Sequence, residues 1–332
     1  MADPREESES IPENDRSRQL DVESAEAGWR VDRFLSVQLP ASRRRVRELL
    51  SAGAVTLDGS RVGLAEKGRA LGEGSQLRVA EVALRSADQV LPQSDLVLPV
   101  IGEGRGWIAV DKPAGMAVHP LRGGETGTVL NAIVARIAGI QGLGEGGLRS
   151  GVVHRLDVET SGVLLIATDA ARWEELRRAF REHRVEKCYH ALVHGRFDWP
   201  PGKRLEVGLR VGRHRPARVR VSDEPAADRE GPNVWRAAQS LRVLEQFDSA
   251  TLVEIRPETG FLHQIRATLD FLGYPVLGDS IYGPPESQSR ACRHMLHALR
   301  AEAGEVSAEA AYPQDFAAQL AGLRASDPPA SG

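Results

Sequence analysis

From Val31 to Leu39 the apolar residues fall at positions 31, 34, 35 and 39, the spacing of one helix face. Pro40 interrupts that pattern. Ser42 is a suitable N-cap for a second helix carrying Val46, Leu49 and Leu50, and Gly53 marks its end. Val55 to Leu57 reads as a strand entering an Asp58-Gly59 turn, and Leu77 to Val79 as a closing strand. Further on, Trp107 to Val110 is a short buried-strand pattern. Thr128 to Ile140 is helical, 139–151 is a glycine-rich loop, and Val163 to Thr168 is a strand. Ala170 to His183 predicts a helix with Trp173, Leu176 and Phe180 on one face. Tyr189, Ala191 and Val193 alternate along a strand, Ala250 to Ile255 forms another, and His263 to Leu272 is a helix stopped by Gly273. Strands and helices mix without strict alternation, which predicts an α+β fold with a mixed, largely antiparallel sheet and flanking helices.

The length of 332 residues fits two domains better than one. The pattern divides them into a small α+β module over 29–80, a linker over 81–95 and a larger domain over 96–316, with 317–332 as a C-terminal tail. Residues 1–28 are polar and acidic and read as a disordered tail. No apolar run approaches the ~18 residues that span a membrane. The N-terminus has no apolar stretch of the kind a secretory signal needs. Cys188 and Cys292 are the only cysteines, too few for a disulfide scaffold or a cysteine-built zinc site. A cytoplasmic protein is expected.

The net charge of −3 argues weakly against a nucleic-acid partner until its distribution is read. Residues 1–28 hold nine acids against three arginines, so the remainder carries +3. Lysine occurs only at 67, 112, 187 and 203, and 39 of the 43 basic residues are arginine. A GC-rich genome or selection for planar phosphate contacts would each produce that bias. Arg43, Arg44, Arg45 and Arg47 crowd the second helix, as a phosphate-tracking face or as a solvated one. Arg204, Arg210, Arg213, Arg215, Arg218 and Arg220, with His214 among them, form either an RNA-facing rim or a soluble hairpin. The run His154-Arg155-Leu156-Asp157-Val158-Glu159-Thr160-Ser161-Gly162 places an acid, a base and hydroxyls just before a strand. That arrangement suits a catalytic loop or a capped polar turn. Gly142, Gly144 and Gly147 match G-x-G-x-x-G in the wrong context, a helix before and a strand after. No Walker loop or His-Glu-x-x-His pair occurs, so a metal hydrolase is unsupported.

Two family resemblances bear on these open readings. Val31-Asp32-Arg33-Phe34-Leu35, Leu39-Pro40, Ser42-Arg43, Leu49-Leu50, Gly53, Val55 and Asp58-Gly59 resemble the RNA-binding module of the ribosomal-protein S-four type. That resemblance implies that the helix with Arg43, Arg44, Arg45 and Arg47 faces RNA. The 154–162 run resembles the catalytic motif of the RluA/RluC/RluD family of RNA pseudouridine synthases. Asp111-Lys112-Pro113-Ala114-Gly115 with His119, then Lys187-Cys188-Tyr189, then Thr259-Gly260 with His263-Gln264-Ile265-Arg266, follow in family order. So do Gly278-Asp279, Tyr282-Gly283, Leu296-His297-Ala298 and Pro313. The resemblance implies Asp157 as the catalytic residue, Arg266 as its ion-pair partner and Tyr189 as the group that packs on the target base. Arg155 would contact RNA or help hold the flipped nucleotide. His119, His154, His263 and His297 read as hydrogen-bonding scaffold. Phe261 stands where the family usually has Arg, and Thr268 where it usually has His. These departures put local RNA contacts and loop packing in doubt. The implied function is isomerisation of uridine in 23S ribosomal RNA or a ribosome precursor, with no metal and no organic cofactor, by a chain that can act as a monomer. A tRNA synthase, an RNA glycosylase, or a non-catalytic RNA-binding or ribosome-assembly factor on the same fold are the alternatives.

Overall fold

The structure, a computed structural model, describes residues 17–39, 43–80, 89–200, 202–214, 217–222 and 234–326. Residues 1–16 of the acidic tail, Pro40, Ser42, residues 81–88 of the linker, Arg215 and residues 327–332 lie outside the described residues. The chain forms two compact units, residues 1–89 and 90–332.

In the first unit, β1 (Ser17–Asp21) precedes α1 (Val31–Gln38) and α2 (Arg43–Ser51), then β2 (Val55–Leu57), β3 (Ser60–Arg61) and β4 (Gln76–Ala80). The helices bury Val31, Phe34, Leu35, Val46, Leu49 and Leu50 against Val55, Leu57, Leu77 and Val79. Asp58 and Gly59 both take positive φ, 50° and 82°, as the two-residue turn between β2 and β3 requires. The antiparallel sheet has the order β1-β4-β2-β3. Order therefore begins before Trp29, and the expected disordered tail is wrong from Ser17 onward. β1 pairs with β4 from Ser17 opposite Ala80 to Asp21 opposite Gln76, and Leu20 and Val22 are buried. Two apolar side chains and a free sheet edge are enough to order an otherwise polar segment.

The second unit is built on one ten-stranded sheet. β5 (Val100–Gly104) and β6 (Trp107–Lys112) open it, α3 (Val129–Arg136) follows, and β7 (Ser161–Ala167) lies beside β6. After α4 (Ala170–Arg181) come β8 (Glu186–His194), β9 (Arg204–His214), β10 (Ala217–Ser222), β11 (Trp235–Gln246) and β12 (Ala250–Pro257). α5 (Gln264–Phe271), the short α6 (Pro285–Gln288), β13 (Leu296–Ala303), β14 (Val306–Glu309) and α7 (Gln314–Ser326) complete it. The strand order is β10-β9-β11-β12-β8-β13-β7-β6-β5, with β14 on β13. All pairings are antiparallel except β13 with β7, which is the mixed α+β sheet that the sequence pattern implies.

That parallel junction places the 154–162 loop. Gly162 has φ 110°, and a Cβ there would lie 2.1 Å from the Ala298 carbonyl oxygen. Only glycine lets β7 start this close to β13. Two expected boundaries move. Val90 is buried with Ile108 and Val110, so the core begins inside the segment read as linker. Phe316, Leu320 and Leu323 are buried along α7, so 317–326 is a docked helix and not a tail. Their spacing at i, i+4 and i+7 was the available signal.

Candidate active site

Asp157 sits at the turn before β7, where its carbonyl accepts from Thr160 N at 3.1 Å. The loop backbone is fastened from behind. Lys112 Nζ donates to the carbonyls of Pro113, Met116 and Val158, each at 2.8 Å. Arg293 Nη1 donates to the Glu159 carbonyl at 3.0 Å while its Nε and Nη2 grip Asp315 at 2.6 and 3.0 Å. Thr160 Oγ1 pairs with His294 Nε2 at 2.8 Å, and Ser161 Oγ with His297 Nδ1 at 3.0 Å. Burial lowers the Lys112 ammonium to about 8, yet three carbonyl acceptors satisfy all its donors.

The carboxylate of Asp157 faces a cleft of about 530 Å³. Arg266, on α5, donates from Nη1 to Asp157 Oδ2 at 2.9 Å. The other edge of that guanidinium is taken by Asp279, through Nε at 2.6 Å and Nη2 at 2.7 Å. Asp279 is fully buried and also accepts from the N–H groups of Ile281 and Tyr282. Burial opposes the charge on Arg266, but the hydrogen bonds to Asp279 and the charges of Asp279 and Asp157 overcome it and raise its pKa. Burial likewise pushes Asp279 up, and Arg266 more than reverses this, so its carboxyl ends below the ordinary value. The result is one buried cation between two carboxylates, with Asp157 held by a single donor among the described residues.

Tyr189, on β8, lines the same cleft and packs between Ala298 and Ile255 of the neighbouring strands. Burial, and then the Asp157 charge, push its hydroxyl well above 10, so it stays protonated at working pH. Arg155 is exposed at the cleft. Three further basic residues line it, of which Lys187 lies in a quoted motif and Arg177 and Arg181 carry no site signal in the sequence. Lys187 donates to the Thr259 carbonyl at 3.0 Å, with burial lowering its ammonium to about 8. Arg177 and Arg181 of α4 flank the opening.

The histidines are arranged as scaffold. His154 Nε2 accepts from Leu165 N at 2.9 Å and stacks on Phe180, and burial takes its pKa to about 3. Burial takes His297 to about 4 while it bridges Ser161 and the Ala310 carbonyl. His119 lies 2.9 Å from the Pro120 carbonyl. His263 is different: it begins α5 at φ 52°, contacts Tyr282 Oη at 3.2 Å and has Nε2 3.9 Å from Asp157 Oδ2. Thr268 is fully buried and accepts from Gln239 Nε2 at 2.8 Å, so that departure concerns packing. Phe261 lines the cleft itself.

One group among the described residues gathers metal-ligand atoms. Cys188, His190 and Glu254 bring them within 4.8 Å of one another. Glu254 is already engaged by Arg242 and Arg256 at 3.0 Å each, and burial pushes the Cys188 thiol up to about 11. Two guanidiniums and a protonated thiol oppose a dication there.

The chain is similar to known proteins over most of its length. The family model for RNA pseudouridylate synthase matches residues 106–270, and the S4 domain model matches 29–67. An uncharacterised RNA pseudouridine synthase of Bacillus subtilis is 32% identical over 92% of this chain and 98% of its own length. The chain belongs to the RNA pseudouridine synthase family. Ribosomal large subunit pseudouridine synthase D of Nitrosomonas europaea is 32% identical over 94% of this synthase and 89% of its own chain. Among solved structures, human RNA pseudouridylate synthase domain containing 1 superposes with TM-score 0.50 at 25% identity, covering 71% of this synthase and 99% of that chain. The protein is thus an isomerase acting on RNA. No helix among its described residues is long and apolar enough to cross a membrane.

In the S4 unit of the synthase, Arg47 is exposed, whereas Arg45 is half-buried and pairs with Glu48 at 3.5 Å. Arg45 precedes Leu49 by one helical turn and so borders the buried face. The side chains of Arg43 and Arg44 lie outside the described residues. Replacing Arg47 with Ala should lower the slope of log affinity against log salt by about 1, measured by RNA titration across 50–200 mM salt. An unchanged slope would remove Arg47 from the RNA contact.

The Arg-dense segment divides. Arg204 is locked to Glu258 and Glu206, and Glu206 also holds Arg236. Arg210 and Arg220 lie opposite each other across the β9–β10 pair and are exposed. Arg218 lies over the Tyr282 ring at 5.6 Å. The side chains of Arg213 and His214 are outside the described residues.

Proposed function

We propose that this synthase converts uridine to pseudouridine in large-subunit ribosomal RNA, with Asp157 as the catalytic carboxylate. One observation carries the assignment of Asp157. It is a carboxylate at the cleft, held by one Arg266 donor, with that arginine's other edge committed to Asp279. A forked pair would tie up both Asp157 oxygens; a single contact leaves one available for chemistry.

The reaction breaks the bond from uracil N1 to ribose C1′, turns the base and forms a bond from C5 to C1′. The C5 proton is lost and N1 gains one, so no oxidant, reductant or energy donor is required. A carboxylate can serve by attacking the substrate covalently or by assisting proton removal from the sugar. Extruding the uridine costs a few kcal/mol of unstacking, which the Tyr189 face offsets. Tyr189→Leu should weaken RNA affinity by about tenfold, and Tyr189→Phe should restore it, because the stacking face returns. A binding isotherm in which Leu matches wild type would exclude stacking.

The choice of ribosomal RNA rests on relatives called ribosomal large subunit pseudouridine synthase D, together with the S4 unit. Arg155 and the α2 arginines would contact that RNA, and the cytoplasm is where it is found. Carbodiimide mapping of total RNA from a strain lacking this gene should show loss of pseudouridine at large-subunit positions. Loss confined to tRNA would replace the ribosomal reading.

A further inference from the structure

Trp235 is the most exposed aromatic among the described residues, with 55% of its surface in water. It opens β11 opposite Leu209 of β9, and the next residue, Arg236, is clamped to Glu206. Two residues on, Ala237 is on the same strand face and is buried with Val207, Leu209 and Tyr282, against which Phe261 packs. The Trp235 ring lies 5.7 Å from that of Phe261, tilted by 33°. Phe261 in turn lines the cleft that holds Asp157 and Tyr189. The two rings therefore continue the wall of the catalytic cleft outward to solvent.

We propose that Trp235 and Phe261 form a second stacking shelf that takes an unpaired RNA base adjacent to the flipped uridine. The proposal rests on the reading that substrate RNA enters this cleft. Continuity with the cleft argues for a nucleotide as the occupant. So do the cations around it: Arg155 is exposed at the cleft, Arg181 is beside it, and Lys187 donates to Thr259 two residues before Phe261. A nucleotide offers a flat base face for the rings and a phosphate for those cations. Phe261 stands where the resembling family usually carries arginine, so stacking here replaces a charged contact and would give this synthase its own preference for the neighbouring nucleotide.

The test uses the full chain and total RNA from a strain lacking the gene, with single-turnover pseudouridine formation read by carbodiimide mapping. Trp235→Leu, which keeps an apolar side chain but removes the ring, should raise the half-saturating RNA concentration about tenfold, with a smaller change in maximal rate. Phe261→Leu should move in the same direction. Trp235→Phe should return to within about threefold of wild type. If Trp235→Leu saturates as wild type does, or if Trp235→Phe is as impaired as Trp235→Leu, the shelf is overturned while the enzyme's reaction stands. If wild type itself forms no pseudouridine in that RNA, the reading beneath the proposal fails, and the shelf fails with it.

Discussion

Replacing Asp157 with Asn should reduce the single-turnover rate of pseudouridine formation by about 10³- to 10⁶-fold. The range follows from whether the carboxylate acts in proton transfer or as a nucleophile. The substitution is nearly isosteric and removes one ion pair, from Arg266 Nη1 at 2.9 Å. Arg266 keeps its two bonds to Asp279 and remains neutralised. The fold should therefore survive with a loss of about 1–3 kcal/mol, visible in urea denaturation. RNA affinity should stay within a few-fold, because Tyr189, Arg155 and α2 are untouched. A variant that binds RNA, folds and does not react is the expected phenotype.

Replacing Asp279 with Asn should not separate the two, and a large loss of stability is expected together with a loss of rate. Asp279 is fully buried, and its carboxylate accepts two guanidinium donors and two backbone N–H groups. An amide cannot accept from all four, since its nitrogen must face one of them. Removing one partner of a buried pair costs about 3–5 kcal/mol. Arg266 would then have Asp157 as its remaining anionic partner and could turn its fork onto it, occupying both catalytic oxygens. The stabilising effect of Asp279 has a definite pH window. Its folded pKa is lowered, so the contribution is present above the unfolded value near ~3.9 and is lost as pH falls below it. Urea midpoints at pH 7 would check the claim, and a shift equivalent to less than about 1 kcal/mol would contradict it.

The parts of the site carried by short contiguous strings were legible in the sequence. Asp157, Tyr189 and Arg266 lie in motif-bearing runs, and each lands on an element whose pattern is local: the turn before β7, the alternating β8 and the α5 helix. What supports them was not legible, because those contacts are made across the sheet. Arg293 reaches the Glu159 carbonyl over 134 positions, and Lys112 reaches Val158 over 46. Asp279 is only 13 residues from Arg266, yet nothing in the spacing says that its carboxylate turns back onto the helix. Composition misled at two places. The acidic character of residues 17–28 hid β1, whose order comes from the edge of β4. The arginine count of α2 hid that Arg45 lies along the buried border. Arg204, read as part of an RNA-facing rim or of a soluble hairpin, is held by two glutamates.

We propose that Asp157 makes pseudouridine from uridine in cellular RNA. It is tested most directly by complementing a strain that lacks the gene with wild-type protein or with Asp157→Asn, and mapping pseudouridine in total RNA by carbodiimide. Wild type should restore every lost position, and Asp157→Asn, expressed to the same level, should restore none. Full restoration by Asp157→Asn would contradict the account.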